Sequence, residues 1–527
     1  MPLLERLTYL ANSAVQSRTC LFFVLLLIAI TQAFTYHYIY NEYDVLPSVL
    51  QQARSSWLPH DWYLSLDIGY RQLFNAIAGY FIAWFNFQWG NYALRIALYA
   101  SFCFAFLRLA KANVMPPLAT LLAFLLFVHF QSIAWDEWII GGSETKTLAY
   151  TFSLLAIAYT TEYRYRWALV FAGLATSFHV LVGIYASFCL GLAILALPSH
   201  RRHFLEILKS SWLWFIFSAN GLYFLIVSQL NAELPANPAM AWEYYVKFRV
   251  PHHTLPEYWL KSQNTWIFYV SLIASIAPFL INELRSMRIL AAQLLGCYLL
   301  ILIGLLLYQA GDETTMRYFF FRYADTMIPL VTFCITAATF ISMLKRLEEQ
   351  FSLATAPLTQ WAKLAGYFFI ALSLSYASYK FVRTMQWHHQ QTDRPDIASR
   401  KAVNSWIKNT LTQDVVILIP PFLQEFYVEA QRSPFVSFKH TPQSALNMAE
   451  WITRMELLNQ GPLPIESLPG FDARDEVHRH YFSLSPSAIE AIHQAYPEIT
   501  HLLSSSESDY PFPLLYGNDV YKVYALP

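Results

Sequence analysis

The chain has 527 residues, of which 56% are hydrophobic, 17% aromatic and only 13% charged, and its formal net charge is zero. That balance offers no footing for nucleic acid or for a polyacidic partner. Runs such as "LFFVLLLIAI", "LATLLAFLLFVHF" and "LLGCYLLILIGLLLY" form the cores of segments near the roughly 20 residues that cross a bilayer, so the chain reads as a polytopic membrane protein. All five cysteines (Cys20, Cys103, Cys189, Cys297, Cys334) fall inside apolar segments, away from any disulfide or CxxC zinc arrangement. No small-residue cleavage pattern follows the apolar run after Arg18, which reads as a retained first span.

In chain order the predicted spans are 19–38, 90–110, 116–134, 147–163, 210–229, 264–282, 289–308, 326–344 and 362–381. Residues 70–87 either cross or lie on the surface. Residues 167–197 are apolar over about 31 positions, roughly 46 Å as a helix against a hydrocarbon core of about 30 Å. They form one tilted span or two short helices breaking near "FHVLVG". Lys and Arg concentrate on the cytoplasmic side. With the tail after 385 outside, "HRRHFLEILK", "ELRSMR" and "LKRLEE" fall inside, and Arg6 and Arg18 put the N-terminus inside. A surface helix at 70–87 with two crossings at 167–197 keeps Arg108, Lys111, Arg164 and Arg166 inside. The opposite pairing exposes all four and brings in only Lys146. Both give eleven spans, and the charges favour the surface helix.

The outer face then carries loops 39–89, 135–146, 230–263 and 311–325, and the region after 387. The first loop holds Glu42, Asp44, Asp61 and Asp67 with Arg54 and Arg71. A carboxylate just past the first span suits proton removal from an acceptor hydroxyl, or a divalent metal beside a phosphate. Helix capping is the other role for such residues, and it suits Asp61 before "WYLSLD". In "WDEWIIGGSETK", Asp136, Glu137, Glu144 and Lys146 surround a glycine pair, and Lys146 at head-group level suits either a lipid phosphate or snorkelling. His179 stands at the break in 167–197, where an ionisable group serves function or bonds a neighbouring helix.

"FRVPHHTLPEYW", from Phe248 to Trp259, carries Arg249, His252 and His253, stiffened by Pro251 and Pro256. Adjacent side chains in an extended loop point apart, so the two histidines do not share a metal, and one is free to face a phosphate or sugar. In "GDETTMRYFFFRYAD", Arg317 and Arg322 are five apart and do not share a helical face. One is expected to clamp a phosphate and the other to pair Asp325. From about 388 charge and proline increase. "DVVILIPP" and "FVSFK" read as strands, "SALNMAEWITRMELLN" as an amphipathic helix and "NDVYKVYAL" as a closing strand, which makes a small α/β domain.

The carboxylate-bearing first loop, the "GG.E.K" loop, the paired short helices after "YRYRWALVFAGLATSFH" and the exported tail resemble the GT-C class of polytopic glycosyltransferases. "RVPHH", "FRYADTMIPL" and the series "SWIKNTLTQDVVILIPP", "RSPFVSFK" and "EWITRM" are similar to a bacterial branch of that class. The resemblance implies an α-helical transmembrane domain over 1–387 with about eleven transmembrane helices, and a periplasmic α/β domain over 388–527. It places the chain in a bacterial cytoplasmic (inner) membrane. It implies transfer of a sugar from a polyprenyl-phosphate-linked donor to a hydroxyl of a glycan, lipid or protein acceptor. Asp44 matches the expected catalytic carboxylate, with Asp61 as second choice. Glu144, Lys146, Arg249, His252, His253, Arg317 and Arg322 are the substrate-binding candidates. A divalent metal, Mg or Mn, is the cofactor the class allows, although the chain has no clear D-x-D. A lipid-linked substrate transporter would need charged or broken-helix features at the membrane midplane and repeat symmetry. A non-catalytic assembly protein would keep the spans and the tail and dispense with the loop carboxylates.

Overall fold

The computed structural model describes residues 17–66, 69–134, 137–230, 233–260, 263–350, 356–392 and 394–527. Arg6, Asp67 and Asp136 lie outside those residues. In lipid every backbone group must be satisfied within its own segment, so the long apolar runs become helices. Their outward faces remain apolar: Trp84 is 75% exposed, Ile273 75%, Leu280 77% and Phe368 66%. Such an apolar surface belongs against lipid. The chain is a membrane protein.

Three helices among the described residues are long and apolar enough to cross: Gln72–Ala112, Asn282–Ala310 and Arg322–Leu347. A fourth crossing forms if Phe204–Ser210 and Trp212–Val227, bent by 49°, count as one span. The expected eleven is therefore not reached by length and composition. The shortfall has local causes. Arg18–Ala33, Pro117–His129 and Val180–Ala196 are short apolar helices, and 264–282 is broken between Trp266–Ala274 and Ala277–Leu280.

Residues 167–197 break at His179, between helices Tyr165–Phe178 and Val180–Ala196. The two arms pack so closely that a Cβ on Gly183 would meet the Thr176 backbone at 2.1 Å. At their far ends the Tyr165 hydroxyl bonds His200 Nδ1 at 3.0 Å. Arg108 pairs with Glu162, three residues before Tyr165. Arg108, Glu162, Tyr165 and the "HRRH" segment thus gather at one end of the bundle.

The helix Gln72–Ala112 contains a sharp bend at Asn86 (φ 67°, ψ 176°). Arg71 meets Asp44 before the first arm, while Phe87 contacts Trp57 with its ring tilted and Arg95 pairs with Glu42 beyond the bend. Both ends of 72–86 therefore touch the first loop, and the arm packs along the helix Glu42–Ala53, where a Cβ on Gly79 would fall 2.9 Å from Ala53.

After residue 395 the chain builds a five-stranded sheet of order β2-β1-β3-β5-β4. The strands are β1 (Val416–Leu418), β2 (Ser433–Pro434), β3 (Ile499–Ser505), β4 (Leu514–Gly517) and β5 (Tyr521–Ala525). β1 runs parallel to β2 and β3, and β5 is antiparallel to β3 and β4. The helix Ala445–Asn459 is capped by Ser444 and buries Met448, Trp451, Ile452 and Met455. "FVSFK" is not a strand. Only Phe435 N–H still bonds Ile417 of β1, at 2.9 Å, after which the segment leaves the sheet and turns into the bundle. Its aromatic residues meet a different demand: Phe438 stacks on Phe422 and edges Phe248.

Candidate active site

Where the bundle loops meet the C-terminal region lies a cavity of about 1180 Å³. The first loop supplies Tyr40, Asn41, Asp44 and Arg71; the second Trp138 and Glu144; the third Trp242, Tyr245, Arg249, His252 and His253; the fourth Arg317 and Arg322. The C-terminal region adds Lys439, Thr441 and Gln443, and the helix break adds His179. One wall is apolar, with Phe224, Leu225 and Leu234 beside Val180 and Leu181.

Two loops are locked together by a buried pair. Glu42, fully buried, takes the Arg95 guanidinium and accepts the N–H groups of Ser143 (2.8 Å) and Ile39 (3.0 Å). A Cβ on Gly142 would fall 2.1 Å from Ile39, so the glycine is what lets "GGSETK" approach the first loop. Glu42 is thus a structural carboxylate.

Asp44 lines the cavity. Its Oδ1 accepts the Tyr63 hydroxyl at 2.8 Å and its Oδ2 meets Arg71 at 3.0 Å. Burial by itself would raise this carboxyl, but Arg71, His440, Lys439 and the Tyr63 hydrogen bond outweigh it and bring the pKa down to about 2. Asp61 is placed differently. It does not line the cavity, and its Oδ1 accepts Leu64 N–H at 2.7 Å, the capping role open to it from sequence. Burial pushes its carboxyl up to about 6.

Lys146 is buried and absent from the cavity wall. Its ammonium meets Glu137 at 2.7 Å and Glu144 at 3.1 Å and sits over the Trp138 ring. The expected contact with a lipid phosphate gives way to two carboxylates already in hand. Glu137 also binds Arg322 Nε at 2.8 Å. Asp325 instead accepts the N–H groups of Ile133 (2.9 Å) and Ala134 (2.8 Å), so the expected Asp325 pairing is replaced by Arg322–Glu137. Arg317 lies 3.8 Å over Trp242 and donates to the Tyr318 hydroxyl.

The stretch 248–259 is helical, not extended. A one-turn π-helix, Tyr244–Arg249, runs into Pro251–Thr254, and proline at the first helical position starts the second turn. His252 and His253 therefore lie side by side, with ring centroids 4.1 Å apart, and both line the cavity. Burial and then the Arg249 charge lower His252 to about 3, and burial followed by His252 lowers His253 well below its ordinary range. Both shifts favour the uncharged imidazole. Among the described residues no three His, Cys, Asp or Glu side chains converge as a metal site. Asp44, the expected metal holder, gives one oxygen to Tyr63 and the other to Arg71.

Lys439 was not anticipated. It reaches back to the first loop, where Nζ donates to Asn41 Oδ1 at 2.6 Å and sits 3.7 Å over Tyr40. Beside it Arg249 donates to Thr441 Oγ1 (2.6 Å) and to the Lys439 carbonyl (2.9 Å). The only sequence signal for Lys439 was a basic residue closing the buried aromatic run "FVSFK".

The family described as Domain of unknown function (DUF6798) matches residues 398–458. No curated protein matches the chain. Among solved structures, ArnT from Cupriavidus metallidurans bound to undecaprenyl phosphate is 12% identical, with 96% of this chain and 97% of that one covered at a TM-score of 0.50. The Archaeoglobus fulgidus oligosaccharyltransferase AglB, in complex with an inhibitory peptide and a dolichol-phosphate, is 10% identical, covering 93% and 69% at 0.49. Nearly the whole length of both chains aligns with ArnT, and this chain has the GT-C fold.

Proposed function

We propose that this protein is a membrane glycosyltransferase that moves a sugar from a polyprenyl-phosphate-linked donor to an acceptor hydroxyl, on the outer face of a bacterial cytoplasmic membrane. The observation that carries this reading is one cavity with an apolar wall for a lipid chain and cations from four separate segments for its phosphate. The acceptor oxygen attacks the anomeric carbon, the bond from that carbon to the phosphate oxygen breaks, and the electron pair leaves with the phosphate. Cavity cations stabilise the charge that develops there. Asp44 orients the acceptor hydroxyl and takes its proton. Held ionised by Arg71, it is a weak base that is always available, and the proton passes on to the departing phosphate, whose second pKa lies near 6. Trp242 and Tyr245 supply flat faces for a sugar ring.

Lipid and glycan profiling of a deletion strain, complemented by point variants, tests the reading. Loss of the protein should remove one glycan modification and leave its polyprenyl-phosphate-linked sugar to accumulate. Full complementation by both Asp44→Asn and Asp61→Asn would instead make the chain a scaffold.

A further inference from the structure

Most buried charges at the cavity are matched by an opposite charge: Arg71 by Asp44, Arg322 and Lys146 by Glu137, and Lys146 again by Glu144. Lys439 and Arg249 are the exceptions. They are 8% and 7% exposed, they adjoin one another through the bond from Arg249 to the Lys439 carbonyl, and both line the cavity. Among the described residues no carboxylate comes within 4.0 Å of either. Their partners are an amide, a hydroxyl, a carbonyl and two aromatic rings. Asp44 and Glu144 act on Lys439 only from beyond ion-pair distance, so two adjacent buried cations lack a counter-charge in contact, which is costly, and an anion between them removes that cost.

From this geometry we infer that Lys439 and Arg249 form the seat for the phosphate, where the C-terminal region closes on the first and third loops. The inference rests on the donor class proposed above and narrows it. A sugar-linked monophosphate carries one negative charge, and the departing monoester carries close to two. Two cations therefore hold the leaving group better than the donor, which is the difference that accelerates transfer. The seat exists only when the C-terminal region is docked, since Lys439 bonds Asn41 and Arg249 bonds Thr441. Burial, followed by the neighbouring Arg249, lowers the Lys439 pKa, and an anion seated beside it would raise it again.

The test uses the full chain in lipid nanodiscs, with undecaprenyl phosphate, undecaprenol and inorganic phosphate as probes, in wild type, Lys439→Met, Lys439→Arg and Arg249→Met. Undecaprenyl phosphate affinity should fall about ten- to a hundredfold in each Met variant and recover in Lys439→Arg, while undecaprenol binding stays level. Without ligand, Lys439→Met should melt at or above the wild-type temperature, because it removes a buried unmatched charge. A merely structural lysine would lower it. Wild-type affinity in both Met variants overturns the seat and leaves the transferase reading intact. A seat that binds inorganic phosphate through Lys439 but rejects the lipid supports the anion site and removes the lipid donor. Binding of neither probe by wild type overturns both.

Discussion

Around Glu137 the buried charges cancel, with Lys146 and Arg322 on one carboxylate and Glu144 closing the set. Around Lys439 they do not, because its nearest groups are an asparagine amide, a tyrosine ring and a second cation. Both regions are buried, both hold two cations, and both lie at the same cavity or directly behind its wall. The difference separates charges that hold the loops in place from charges kept open for a ligand. A cation in a membrane enzyme is better read by its counter-charge than by its position in a loop.

Four measurements test that contrast. The first asks whether the cavity end faces outward. In a variant lacking the five native cysteines, exposed Ser487→Cys should label with an impermeant thiol reagent from outside and exposed Arg166→Cys should not. Ser143 is fully buried and would report nothing. The reverse pattern would turn both charge clusters toward the cytoplasm.

Next in size is Asp44, the matched carboxylate that faces the ligand. Asp44→Asn should lower turnover by about 10²–10⁴-fold with donor binding little changed, since general-base catalysis contributes in that range. Its carboxyl falls from 3.8 to about 2 on folding. The stability it contributes is therefore complete above about pH 4 and lost as pH falls through about 2, so no break in rate between pH 5 and 9 should trace to it. A Asp44-dependent rate limb in that window would count against the arrangement with Arg71.

Lys146→Met tests the cancelled cluster itself. It leaves Glu144 and part of Glu137 buried without their cation, at a cost of about 3–5 kcal/mol. A lowered unfolding midpoint is expected, with phosphate affinity kept in the folded fraction. If the variant folds normally and loses the phosphate, Lys146 belongs with Lys439. The smallest effect is expected at Asp61, whose carboxyl rises from 3.8 to about 6. A group that binds its proton more tightly when folded loses stability as pH climbs between those values. Asp61→Asn keeps an acceptor for Leu64 N–H and should raise the midpoint at pH 7 by up to about 3 kcal/mol of stability. A large loss of turnover there would move the base to Asp61.

The membrane character, the helix break near His179 and the sets of residues that share an end of the bundle were legible in the sequence. These follow from apolar runs, breakers and charge bias, which act over a few residues or one bilayer thickness. The strand at Val416–Leu418 and the helix Ala445–Asn459 were legible for the same local reason. The span count was less so, because a run of apolar residues does not say where its helix will break, as at 264–282. Which charges are matched depends on how the chain folds. Glu42 meets Arg95 across 53 positions, and Lys439 meets Asn41 across 398. Folding also turned His252 and His253 into neighbours by making an expected loop helical. Electrostatic energy depends on distance in space and on burial, and a linear pattern of residue types carries neither.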